Sequence, residues 1–148
     1  MKFGCVSRPG VKNRALLVER TSVTSIIMAV DDEVFVLRLL GLVLQPLECS
    51  LLAVEDPRKA VQLLESVTPD LFILDLMMPH INGLDLCQQI RSSPATADTP
   101  IIMLSAYYDA SIVEKCLQAG ATLLLPKSML RGELVDQVRN LLNLASVS

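Results

Sequence analysis

From Ser25 onward, short apolar runs alternate with amphipathic stretches, in the rhythm of strand then helix. Ile26-Ile27-Met28-Ala29-Val30 has the length and bulk of a strand buried on both faces, and it closes on Asp31-Asp32-Glu33. Val34 to Gln45 is helix-length and stops at Pro46. Cys49 to Val54 forms a second strand candidate. Asp56-Pro57 then reads as an N-cap followed by proline at the first helical position, opening a helix to about Ser66. Leu71 to Leu74 is the third strand, running into Asp75 and a loop marked by Pro79 and Asn82-Gly83. The third helix, Leu84 to Arg91, is broken by Ser92-Ser93-Pro94. Pro100 to Leu104 is the fourth strand, ending at Ser105-Ala106, and the next helix has Asp109 as cap and Gly120 as its stop after Ala119. Thr122 to Leu125 is the fifth strand, followed by Pro126-Lys127-Ser128. A last helix is expected from about Leu130 to Leu144, with Leu134, Val135, Val138, Leu141 and Leu142 on one face.

Five β-then-α units with short connections predict an α/β fold, a parallel sheet covered by helices on both faces. In such sheets ligands bind outside the carboxyl ends of the strands. The 148 residues suffice for one domain with a substantial core. The expected division is a domain over residues 25–148 preceded by an N-terminal extension, 1–24, poorly structured or packed on the domain. The first helix is apolar on nearly every side, so either the extension or a partner, a second copy included, is expected to cover it.

Composition narrows the function classes. About half the residues (51%) are apolar, yet no run approaches the roughly 18 residues of a membrane span. The first 25 residues lack the apolar block of a secretory signal. Four scattered cysteines without a CxxC pair, and a single histidine, His80, argue for free thiols in a reducing cytoplasm rather than a disulfide frame or zinc site. Basic residues concentrate before Thr24, and the remainder is acidic, which disfavours nucleic-acid binding by the domain.

The chemistry gathers at the predicted strand ends: Asp31-Asp32 after the first, Asp75 after the third, Ser105 after the fourth and Lys127 after the fifth. Carboxylates about 4 Å apart repel by about 4 kcal/mol per pair at an effective dielectric of about 20. Such a cluster holds either protons or a divalent cation, and an all-oxygen set favours magnesium over zinc or copper. Asp75 then becomes a nucleophile on phosphorus, with the Ser105 hydroxyl and the Lys127 ammonium to steady the phosphoryl oxygens. Taken singly these residues have ordinary explanations: Asp31-Asp32 as helix caps, a serine in a turn, a solvated lysine. Their conjunction carries the weight.

The chain resembles the receiver domain of two-component response regulators from Ser25 to about Ala145. The matches are Val30-Asp31-Asp32-Glu33, Leu74-Asp75-Leu76-Met77-Met78-Pro79 with Asn82-Gly83, Pro100-Ile101-Ile102-Met103-Leu104-Ser105-Ala106, Ala119-Gly120-Ala121 and Lys127. The resemblance implies a flavodoxin-like, doubly wound sheet of strand order 2-1-3-4-5. It implies Asp75 as phosphoacceptor, and magnesium held by Asp31, Asp32, Asp75 and the backbone carbonyl of Met77. It further implies Ser105 as the hydroxyl that follows the phosphoryl group and Lys127 as its ion-pair partner. The implied partners are a histidine kinase or histidine phosphotransfer protein and a downstream protein target.

Two positions depart from the family pattern. Leu124 stands where an aromatic is usual on the fifth strand, and Ser128 follows the lysine where a proline is usual. With the chain ending just after the fifth helix, the expectation is a stand-alone cytoplasmic receiver, not an enzyme with its own substrate, whose output is protein contact. The alternatives are a receiver-like scaffold acting without phosphate and, less favoured, an aspartyl-nucleophile phosphatase. The latter would want an acid two residues after Asp75, where Met77 stands.

Overall fold

A computed structural model describes residues 24–144. Their elements, in chain order, are β1 (Ser25–Val30), α1 (Val34–Val43), β2 (Cys49–Val54), α2 (Pro57–Leu63) and β3 (Leu71–Asp75). There follow α3 (Gly83–Ser92), β4 (Ile101–Ser105), α4 (Ala110–Ala119), β5 (Leu123–Pro126), a 3-10 turn (Lys127–Met129) and α5 (Glu133–Leu141). All strand pairs are parallel and the order is β2-β1-β3-β4-β5, the expected flavodoxin-like topology. Expectations for the N-terminal extension fall on residues outside those described.

Alternation along the buried strands splits the core into two layers. Met28, Val30, Phe72, Leu74, Ile101, Met103 and Leu124 face one way and pack under α2, α3 and α4, against Ala60, Leu86, Cys87, Ile90 and Cys116. Ile27, Ala29, Leu71, Ile73, Ile102, Leu104 and Leu125 face the other way, against Val36, Leu37 and Leu40 of α1 and Leu134 and Val138 of α5. Every residue of β3 and β4 is buried, which explains why their sequences read as unbroken apolar runs. Each such Leu, Ile or Phe stabilises the fold by about 1.5–3 kcal/mol through burial.

Local signals set the helix ends. The Asp56 side chain accepts from Arg58 N–H at the start of α2, Asn82 from Asp85 N–H at α3, and Asp109 from Ile112 N–H at α4. Gly120 closes α4 with φ 109°, a left-handed turn that costs glycine little.

Two expectations need correction. The last helix is shorter than Leu130 to Leu144: Gly132, at φ 67°, interrupts the chain, so α5 starts at Glu133, and it gives way after Leu141. Helix α2 ends at Leu63, and only hydrogen-bonded turns continue to Ser66. Helix α1 buries one stripe, Val36, Leu37 and Leu40, while Phe35 (76% exposed) and Leu42 (68%) are open; the expected cover, by the extension or a partner, lies outside the described residues.

Candidate functional site

Because the strands are parallel, their C-terminal ends share one edge. The register sets Val30 beside Leu74, Asp75 beside Leu104, and Ser105 beside Pro126. Asp31, Asp75, Ser105 and Lys127 are therefore within one residue of adjoining rungs. Carboxylate oxygens of Asp31, Asp32 and Asp75 come within 4.8 Å of one another. Asp31 and Asp75 are buried (1% and 4% exposed), whereas Asp32 reaches solvent.

Lys127 closes the cluster. Its Nζ lies 3.1 Å from Asp31 Oδ2, 3.2 Å from Asp75 Oδ1 and 3.0 Å from Glu33 Oε1. Burial opposes charge on this ammonium, but the hydrogen bond it donates to Glu33 and the fields of Asp31 and Asp75 more than offset that, and its pKa is raised. Asp75 is pushed up to about 7, first by burial and then by the neighbouring charge of Asp31, against the pull of Lys127 and of the Met77 backbone N–H. Burial likewise raises Asp31, although its Oδ1 accepts from Glu33 N–H at 2.9 Å.

Ser105, 1% exposed, ends β4 on the same edge, and its Oγ accepts from Tyr107 N–H at 3.0 Å. Met77 leaves β3 with its side chain 69% exposed. The loop that carries it is pinned by Gly83, whose N–H donates to Leu76 C=O at 2.9 Å. A Cβ at Gly83 would overlap the Asp75 carbonyl and lie 2.8 Å from Leu76 Cα, so only glycine allows α3 to start this close to the strand end.

Asp31 Oδ2 is buried without a hydrogen bond of good geometry. The cation nearest it, Lys127 at 3.1 Å, is shared with Asp75 and Glu33, so one ammonium faces several carboxylates and negative charge is left uncompensated. That excess on an all-oxygen cluster fits a hard, oxygen-seeking divalent cation.

The ordinary explanation of Asp31 or Asp32 as a cap of α1 does not hold. Glu33 occupies that position, and its side chain leaves the helix to meet Lys127 instead. Sequence reasoning gave Glu33 no role. The available signal was its length: capping favours short Asp, Asn, Ser or Thr side chains.

Residues 27–139 match the family model described as the response regulator receiver domain. The chain belongs to this family. Protein RcaC of Microchaete diplosiphon is 33% identical over 112 residues, covering 76% of this chain and 17% of that protein. The DNA-binding response regulator MtrA of Mycobacterium tuberculosis H37Rv is 34% identical over 113 residues, covering 76% of this chain and 48% of its own length. The chain thus spans about half or less of these curated relatives. Among solved structures, the signal receiver domain of a signal transduction histidine kinase from Syntrophus aciditrophicus superposes with TM-score 0.74 at 27% identity, covering 84% of this chain and 98% of that one. A chemotaxis response regulator of Vibrio cholerae shares the fold at 20% identity, with TM-score 0.70 over 80% of this chain and 99% of the other. A receiver of this family is a part of two-component signalling, and phosphorylation and magnesium binding are typical of its members. No helix among the described residues of this receiver is long and apolar enough to cross a membrane.

Proposed function

We propose that residues 25–148 form a receiver domain that accepts a phosphoryl group on Asp75 and signals by protein–protein contact, with residues 1–24 as an N-terminal extension. The observation that carries this is the setting of Asp75: buried at a strand end, in a three-carboxylate cluster, with an ammonium 3.2 Å away. Asp31, Asp32 and Asp75, with the Met77 carbonyl, are the groups that would hold magnesium. When bound, the ion supplies positive charge that keeps Asp75 ionised and draws phosphoryl oxygens toward it.

The transfer asks little acid–base work of the protein. An Asp75 carboxylate oxygen forms the bond to phosphorus as the phosphorus–nitrogen bond of a phosphohistidine breaks. The electron pair leaves on the imidazole nitrogen, which takes a proton. Lys127 can turn from Asp75 to a phosphoryl oxygen with little movement. Ser105 Oγ accepts from Tyr107, so its own proton is free to be donated to the phosphoryl group.

The donor is a histidine kinase or histidine phosphotransfer protein in the cytoplasm. A rim of exposed apolar side chains suits a protein donor: Phe35 after β1, Met77 after β3, and Tyr107 after β4. The phosphorylated domain then contacts a downstream protein, and no substrate other than its own phosphoryl group is turned over. The test is mass spectrometry after incubation with magnesium and acetyl phosphate, alongside magnesium titration with beryllium fluoride. The wild type should gain one phosphoryl mass and Asp75→Asn should not. No gain in either, with no beryllofluoride response, would favour a scaffold that works without phosphate.

A further inference from the structure

We propose that Glu33 is a positioning residue that competes with a phosphoryl group on Asp75 for the hydrogen bonds of Lys127; this rests on Asp75 being the phosphoacceptor. Three carboxylates surround Lys127 Nζ at 3.0–3.2 Å, but the hydrogen bond of good geometry goes to Glu33 Oε1. Buried Asp31 Oδ2 is left without one. The ammonium is thus directed toward the most exposed of its three partners, whose side chain is 61% accessible. Helix capping does not account for this glutamate. It sits at the N-cap of α1, its carbonyl accepts from Val36 and Leu37, and its side chain makes no cap bond. Its backbone is already fixed by Glu33 N–H donating to Asp31 Oδ1 at 2.9 Å. The side chain therefore leaves a rigid strand end and spends its charge on Lys127.

A phosphoryl group on Asp75 would have to draw Lys127 off Glu33. Glu33 consequently sets how tightly the phosphorylated arrangement is held. Removing its charge releases the lysine, and the phosphoryl-like state gains. An exposed pair of this kind is worth about a two- to fivefold change in an equilibrium constant.

The test measures the beryllium fluoride dissociation constant at saturating magnesium for the wild type, Glu33→Gln and Glu33→Ala. Glu55→Gln serves as control, because it removes another exposed acid that follows a strand on the same edge. Glu33→Ala should bind about two- to fivefold tighter, Glu33→Gln should lie between it and the wild type, and Glu55→Gln should match the wild type. Loss of helix stability alone would lower the thermal midpoint without tightening beryllofluoride. Equal tightening in Glu55→Gln would mean a general field rather than a hold on Lys127, and would overturn the proposal. Unchanged or weaker binding in both Glu33 variants would overturn it alone, provided the wild type responds and Asp75→Asn does not. A wild type that never binds beryllofluoride would overturn the phosphoacceptor reading together with it.

Discussion

Lys127 Nζ stands 3.2 Å from Asp75 Oδ1, joining the last strand to the middle one through a single ammonium. Asp31 depends on the same group at 3.1 Å. Lys127→Ala would leave two buried carboxylates facing each other. At pH 8, without divalent cations, the variant should lose about 3 kcal/mol of unfolding free energy, measured by urea denaturation. A change below about 1 kcal/mol would mean that water already neutralises the cluster.

The pH dependence of stability has an unusual sign here. Most paired carboxylates have depressed pKa values and favour the fold at higher pH. Asp75 instead rises from 3.8 to about 7, so between those values the folded protein binds the proton more tightly than the unfolded chain. Its contribution to stability therefore falls as pH increases from about 4 to about 7, and is flat beyond. In the presence of a chelator, wild type minus Asp75→Asn should decline by roughly 2–4 kcal/mol between pH 4 and pH 8. Magnesium should flatten the decline by binding the ionised form. A difference that rises with pH would mean that Lys127, rather than burial, dominates Asp75.

Gly83→Ala tests the close approach of α3 to the strand end. The added methyl would meet backbone at Asp75 and Leu76 and lie 2.9 Å from Met103 Cε. Since backbone cannot yield as a flexible side chain does, a loss of about 1–3 kcal/mol is expected in denaturant titration. Beryllofluoride affinity should fall as well, because the displaced carbonyl belongs to Asp75.

Leu124→Tyr restores an aromatic to β5. Leu124 is 5% exposed and pairs with Met103 in register, inside the layer beneath α3 and α4. A ring held inward overpacks that layer and should cost about 1–3 kcal/mol. Thermal unfolding with and without beryllium fluoride measures this. A variant as stable as the wild type would mean that the ring escapes to the surface.

The sequence makes the strands legible because each buried run is short and ends on chemistry or a turn: the apolar pattern matches β2 to the residue, and β3 and β4 to within one. The caps at Asp56 and Asp109 and the stop at Gly120 were readable for the same reason, being local backbone bonding. The start of α5 was not, because the apolar period runs through Gly132 and nothing in it betrays a positive φ. The gathering of Asp31, Asp75, Ser105 and Lys127 follows from topology alone. The role of Glu33 is not legible in the sequence, since its bond partner is 94 positions away and depends on where β5 delivers Lys127. The one-sided exposure of α1 was equally hidden, because hydropathy gives the apolar residues but not which of them meet the sheet.

Arg91 shapes the far end of the molecule. Its guanidinium donates to the carbonyls of Gly120, Thr96 and Thr99, at 2.8, 3.2 and 2.6 Å. The tail of α3, the lead-in to β4 and the exit from α4 are thus riveted together at the base of the sheet. Three segments that could otherwise shift independently are tied to one planar group, so a rearrangement triggered above the strand tips meets resistance to strand sliding from the opposite end of the sheet.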